Sequence, residues 1–307
     1  MIWLNNLIVR LLPFVPVSLV GLVAKTYIAG ETLEQAVEKT RELNVRDTRV
    51  TLDLLGEDPT TREECTRAVG VYQDIIHAIH SKKLGAGISL KPSHMGLKLD
   101  PEFCLANIRS IVEQAAAHDI FVRIDMENDT LRRATRDLFF SIQSTFDNVG
   151  IVTQAYLRQG IDEANVLIEK KANIRLCKGA YYWENRQAVY KDGEIVNNSY
   201  AYLLEKFLSS GCFVGIATHD EKLVFQSLKL IDQLDLSRDQ YEFQMLFGVE
   251  EELRQILVDQ GHPVRVYLPF GKEWFAYSVR RLKENPKMVG YILANASTIL
   301  KGLVKTR

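Results

Sequence analysis

The sequence predicts one (β/α)8 barrel, and three observations carry that reading. Eight short β-rich runs recur along the chain at intervals typical of a βα unit, and longer segments with helical spacing of apolar residues lie between them. No Ser/Gly-rich linker divides the 307 residues, which argues for one domain rather than two. No GxGxxG follows the first run, so an open doubly wound sheet, the nearest alternative, lacks its fingerprint.

The chain opens with an arm, residues 1–45. Its Leu11–Ala24 stretch is apolar behind a single Arg10, yet it is too short to span a bilayer, and Pro13 and Pro16 interrupt a helix at its start. No small-residue cleavage site follows, and the run leads through Lys25 into TYIAGETLEQAVEKT, a good helix beginning. An arm that packs on the domain or rests on a membrane surface is the expectation.

Residues 46–307 form the barrel. Its expected strands are Arg49–Leu55, Gly87–Lys91, Ile120–Asp125, Val149–Ala155, Asn173–Cys177, Phe213–Ala217, Tyr241–Leu246 and Pro263–Tyr267. The helices between them are Thr61–His80, Glu102–His118, Thr130–Thr145, Gly160–Lys170, Asn198–Leu208, Glu221–Leu234 and Val249–Gln260. After the eighth strand the chain breaks at Pro269 and Gly271 and resumes as a helix with Trp274, Ala276, Tyr277, Val279 and Leu282 at helical spacing. Arg280 and Arg281 ride on that helix, with Glu284 four residues beyond Arg280. Taken alone, they read as a solvated face with a surface ion pair worth tenths of a kcal/mol. Two always-charged guanidinium forks beside one cavity would instead clamp a carboxylate.

A formal net charge of −1 gives no electrostatic reason to expect nucleic acid or an anionic membrane as the main partner, and a small neutral or zwitterionic ligand fits better. Cys65, Cys104, Cys177 and Cys212 lack CxxC spacing, which signals neither a metal site nor a disulfide framework and suits a reducing cytoplasm.

Reactive groups of such a barrel come from the C-terminal strand ends. Those positions hold Asp53 and Glu57, Lys91 and His94, Asp125 and Glu127, Gln154, Lys178, Thr218 and His219, Gln244 and Tyr267. Loops are polar anyway, so this concentration is suggestive only. Arg175 is less ordinary: between Ile174 and Leu176 it points the opposite way, and a charge at an interior position needs a partner.

Seven blocks in register then resemble the proline dehydrogenase family. They are LLGE (Leu54–Glu57), ISLKPS (Ile88–Ser93), RIDMEN (Arg123–Asn128), TQAY (Thr153–Tyr156), RLCKGAYYW (Arg175–Trp183), ATH (Ala217–His219) and the final Tyr267 with Arg280, Arg281 and Glu284. The resemblance implies a distorted barrel with N-terminal helices, FAD as cofactor, and a last helix over the barrel mouth. It implies that Lys91, Arg280 and Arg281 bind the carboxylate of L-proline, and that Met126, Gln154, Lys178, Gly179, Ala180, Thr218 and His219 hold the flavin. Arg175 would stabilise the reduced flavin, Asp125 would orient Tyr267, and Glu57, with Glu284, would form a gate. Tyr181 and Trp183 are implied walls for adenine. The product would be Δ1-pyrroline-5-carboxylate, taken up by a separate dehydrogenase. Electrons would pass to a quinone, with peripheral contact at the inner face of the membrane through the apolar arm.

Two other classes remain open on the residues alone. A Schiff-base aldolase would use Lys178 or Lys91 as nucleophile, and a non-catalytic small-molecule binder would use the same scaffold. Both would be colourless, whereas a flavoprotein is yellow.

Overall fold

Thr32 and Thr61 each stand in extended backbone before an apolar-periodic run, and each accepts a hydrogen bond from the third helical residue's backbone. The side chains of Gln35 and Glu64 reach back, so both helices open with a capping box, a cap worth about 1 kcal/mol. The structure, a computed structural model, describes residues 26–56, 58–179, 185–275 and 277–278. In chain order its elements are α1 (Leu33–Asn44), β1 (Thr48–Leu54), α2 (Arg62–Ser81), β2 (Ala86–Leu90), α3 (Pro101–Ala116), β3 (Val122–Ile124), α4 (Asp129–Gln143) and β4 (Val149–Gln154). They continue as α5 (Gly160–Glu169), β5 (Ile174–Cys177), α6 (Gly193–Ser209), β6 (Val214–Ala217), α7 (Glu221–Gln233), β7 (Tyr241–Leu246), α8 (Glu251–Asp259) and β8 (Val264–Phe270).

All eight strands run parallel and close on themselves, with β1 paired to β8 from Thr48↔Val264 to Leu54↔Phe270. Side chains alternate across each strand. Val50, Ile88, Ile124, Ile151, Leu176, Ile216 and Val266 face outward and merge with Ile75, Ile111, Phe139 and Phe207 of the helices in one continuous apolar core. The other set faces into the barrel and is polar: Ser89, Arg123, Arg175, Glu242 and Gln244 are all buried. Gly150 and Gly215 make room for it, since a Cβ there would lie 2.3 Å from Arg123 Nη1 and 2.4 Å from Gln244 Nε2.

Two sequence expectations are corrected. Helix α6 starts at Gly193 and not Asn198, because the Asp192 carboxylate accepts from the backbone N–H groups of Glu194 and Ile195 and nucleates the first turn. Strand β8 does not break at Pro269 but runs through it to Phe270. The β7 ladder ends at Leu246↔Tyr267, so Pro269 sits where that neighbour no longer calls for an N–H. The break comes at Gly271, whose φ of +133° suits a residue without a Cβ.

The described part of the arm is woven into this frame. Ala29 N–H donates to Pro269 O at 2.9 Å and Gly271 N–H to Gly30 O at 3.0 Å, while Ala36, Val37 and Leu43 of α1 enter the common core. Among the described residues no helix is long and apolar enough to cross a membrane. Leu11–Ala24 lies outside them.

Candidate active site

Alternation delivers one inward side chain from each of several strands to the C-terminal end of the barrel, and there they form two charged clusters. In the first, Arg175 of β5 donates from Nη1 to Asp125 Oδ1 at 2.9 Å and to Ser89 Oγ at 3.2 Å, and from Nε to Gln244 Oε1 at 2.5 Å. Ser89 also donates to Asp125 Oδ1 at 2.7 Å, and Tyr267 Oη donates to Asp125 Oδ2 at 3.0 Å. The guanidinium lies 5.3 Å from the Tyr267 ring centre. Burial, with Asp125 and Asp53 close by, pushes the Tyr267 phenol well above its ordinary range, so it stays a donor.

In the second cluster the Lys91 ammonium lies 2.9 Å from both oxygens of Asp53. Burial raises the Asp53 carboxyl above its ordinary value, against the opposing pull of Lys91. The sequence placed Asp53 among polar strand ends without a role; its role here is counter-ion to a buried cation. Lys91 therefore meets any incoming carboxylate with its charge already partnered.

The expected cofactor residues gather along β3 to β6. Gln154 Nε2 donates to the carbonyls of Met126 and Glu127 at 3.2 and 3.3 Å, while its buried Oε1 has no partner among the described residues. Lys178 Nζ donates to Asp220 Oδ2 at 2.7 Å. Burial works to raise the Asp220 carboxyl, but Lys178 and the backbone of Lys222 and Leu223 hold it below its ordinary value. Thr218 is buried and its Oγ1 accepts from the Asp220 N–H at 3.1 Å. His219 Nε2 accepts from the Leu246 N–H at 2.8 Å, which ties the end of β6 to that of β7. Gly179 has a φ of +107°, and a Cβ there would meet the Tyr156 ring at 2.4 Å.

This set fits a flavin. The ring N–H of an isoalloxazine is the kind of donor that Gln154 Oε1 lacks, and Gly179 offers backbone with no side chain in the way. Glu57, Ala180, Tyr181, Trp183, Arg280, Arg281 and Glu284 lie outside the described residues. Both lysines considered as Schiff-base nucleophiles are paired with carboxylates, Lys91 with Asp53 and Lys178 with Asp220.

Several residues escaped the sequence reading. Ser89 had no signal beyond its position in a β-rich run. Glu242 and Arg265 lie in the barrel interior, where strand alternation would have pointed to them. A separate cleft of about 600 Å³ lies at the opposite, N-terminal end of the barrel, lined by residues that include Arg49, Arg238, Glu242 and His262. Reactive groups in this architecture belong to the other end.

Comparison with known proteins agrees with this geometry. The protein-family model described as Proline dehydrogenase matches residues 36–292. Proline dehydrogenase 1 of Bacillus subtilis (strain 168) is 33% identical over 282 residues, covering 92% of this chain and 91% of its own length. Proline dehydrogenase of Deinococcus radiodurans is 32% identical over 287 residues, with 92% and 90% covered. The crystal structure of proline utilization A (PutA) from Bdellovibrio bacteriovorus, inactivated by N-propargylglycine, superposes with a TM-score of 0.80 at 23% identity. That match covers 86% of this chain but 32% of the larger protein, and it speaks for the fold. The family model spans most of the chain and two relatives exceed 30% identity over nearly their whole length, so this chain belongs to the proline dehydrogenase family.

Proposed function

We propose that this protein oxidises L-proline to Δ1-pyrroline-5-carboxylate, with FAD as resident cofactor and a quinone as final electron acceptor. The observation that carries the reading is the Asp125–Arg175–Tyr267 cluster at the C-terminal end of the barrel, in a chain whose relatives are named proline dehydrogenases. When bound, the flavin supplies a two-electron acceptor for the hydride on the carbon beside the proline ring nitrogen.

The protein's part is to hold and orient. Lys91, with Arg280 and Arg281, binds the substrate carboxylate. Arg175 places a fixed positive charge where negative charge develops on reduction. Asp125 orients Tyr267 and Arg175, accepting a hydrogen bond from each. Gln154, Lys178, Gly179, Ala180, Thr218, His219 and the backbone of Met126 hold the cofactor. Glu57 and Glu284 gate the opening, and Glu57 pairs with Arg280 when substrate leaves.

In this reading residues 46–307 are the catalytic barrel and residues 1–45 an arm. The Leu11–Ala24 stretch makes peripheral contact with the inner face of the membrane in a cytoplasmic protein, and a separate dehydrogenase consumes the product. The test is the absorption spectrum of the purified protein: a flavin spectrum that bleaches on anaerobic addition of L-proline is expected. A colourless, inactive protein would overturn the reading. Arg280→Met and Arg281→Met should each raise KM for proline strongly, and unchanged kinetics would remove the clamp.

A further inference from the structure

The polar interior of the barrel continues below Arg175 as a directed chain of hydrogen bonds. Arg265 Nε and Gln244 Nε2 both donate to Glu242 Oε1 at 2.6 Å, and Gln244 Oε1 in turn accepts from Arg175 Nε at 2.5 Å. We propose that Glu242 and Gln244 are positioning residues that fix the Arg175 guanidinium and set the charge it presents to the bound flavin. The inference rests on the flavoenzyme reading given above.

Three features carry it. First, the amide of Gln244 has one workable orientation. Glu242 accepts only, so it must face the NH2 group, and a guanidinium donates only, so it must face the carbonyl. A flipped amide would set donor against donor at Arg175 and acceptor against acceptor at Glu242. Second, Arg175 is thereby held at two points, Nε on Gln244 and Nη1 on Asp125 and Ser89. Its Nη2 makes no hydrogen bond to a described residue and remains available to a ligand. Third, space is cleared for this arrangement, because only a glycine at position 215 tolerates the Gln244 amide where it stands.

Charge placement gives the chain its second effect. Arg123, Arg175 and Arg265 all lie in the barrel interior. Arg123 has carbonyl oxygens and Asn173 Oδ1 as its partners, not a carboxylate. Burial by itself raises the Glu242 carboxyl, but Arg265, Gln244 and Arg123 hold it below its ordinary value, so it is an anion two hydrogen bonds from Arg175. An amide lies between that anion and Arg175 and keeps a second carboxylate, beyond Asp125, off the guanidinium.

The test transposes the two side chains. In the double variant Glu242→Gln, Gln244→Glu, the net charge is kept, and Arg265 Nε and Arg175 Nε each still meet a side-chain oxygen. The link between the two positions re-forms in reverse, from the amide now at 242 to the carboxylate at 244, once that amide rotates. The carboxylate then sits directly on Arg175. Expected for the flavin-loaded protein, with a thermal melt to confirm that it folds, are a more negative flavin midpoint potential and kcat lowered about tenfold with KM for proline little changed. A natural potential and kcat in that variant would show the chain to be barrel filling and overturn the proposal. If the transposed protein does not fold, Gln244→Met fills the same space without an acceptor for Arg175 Nε; kcat should again fall with KM held, and an unaltered kcat overturns the proposal. Failure of the flavoenzyme reading itself would be recognised separately, as an unaltered protein that carries no flavin.

Discussion

Tyr267 and Asp125 stand 142 residues apart in the chain, on β8 and just beyond β3, yet the hydroxyl of one donates to the carboxylate of the other at 3.0 Å. The other oxygen of that carboxylate is occupied by Arg175 and Ser89. One aspartate thus fixes both an aromatic donor and a cation.

Replacing Tyr267 with Phe deletes the donor and leaves the ring that lies beside Arg175. We expect kcat/KM for proline to fall about tenfold, the size of a lost hydrogen bond to a charged group. The melting temperature should move little, and steady-state kinetics beside a thermal melt would check both halves.

Asp53→Asn leaves the Lys91 ammonium buried without its counter-ion. Breaking a buried pair from one side costs about 3–5 kcal/mol. The double replacement Asp53→Leu, Lys91→Met should regain much of that loss, because it removes the uncompensated charge. Denaturant unfolding of the three proteins measures it, and equal stabilities would refute the prediction.

Gly179→Ala should weaken flavin retention while the protein still folds. The new methyl meets the Tyr156 ring, and the φ of +107° is costly for any residue with a Cβ, by about 1–3 kcal/mol. The ratio of flavin to protein after gel filtration, compared with the unaltered protein, is the measurement.

His262 gives a pH prediction far from the active site. Burial, and then the Arg238 guanidinium beside it, lower its pKa from 6.5 to about 4. Between those values the unfolded chain binds a proton that the folded one refuses, so stability falls as pH drops through the window and levels off below it. His262→Gln should flatten that slope in melts taken across the range, whereas an unchanged slope would assign it to other groups.

Much of the fold was readable because strand and helix periods differ and the apolar residues obey them. Ile88 and Leu90 alternate with Ser89, and the Thr61 and Asp100 caps announce their helices. The α6 start was hidden because Gly193 reads as a breaker while Asp192 supplies the cap. Pro269 reads as a stop, and only the end of the neighbouring ladder makes it harmless. At the site, Arg175 was visible as a charge at an interior position, but its partners were not. Asp125, Ser89 and Gln244 come from three other strands, and nothing local in a sequence states which ones meet. The pairing of Lys91 with Asp53 was hidden for the same reason.

The seam of the barrel has a kinetic consequence. Arg265 on the last strand donates to the carbonyl of Val50 on the first, 215 positions away, and Tyr267 reaches back to Asp125. Contacts that join such remote parts of a polypeptide form late, since the intervening loop must first be closed. Until β8 docks, the guanidinium of Arg265 and the carboxylate of Asp125 lack partners that they have in the native state, so an incomplete ring gains little by persisting. The last strand to be made should act as the latch of an all-or-none assembly.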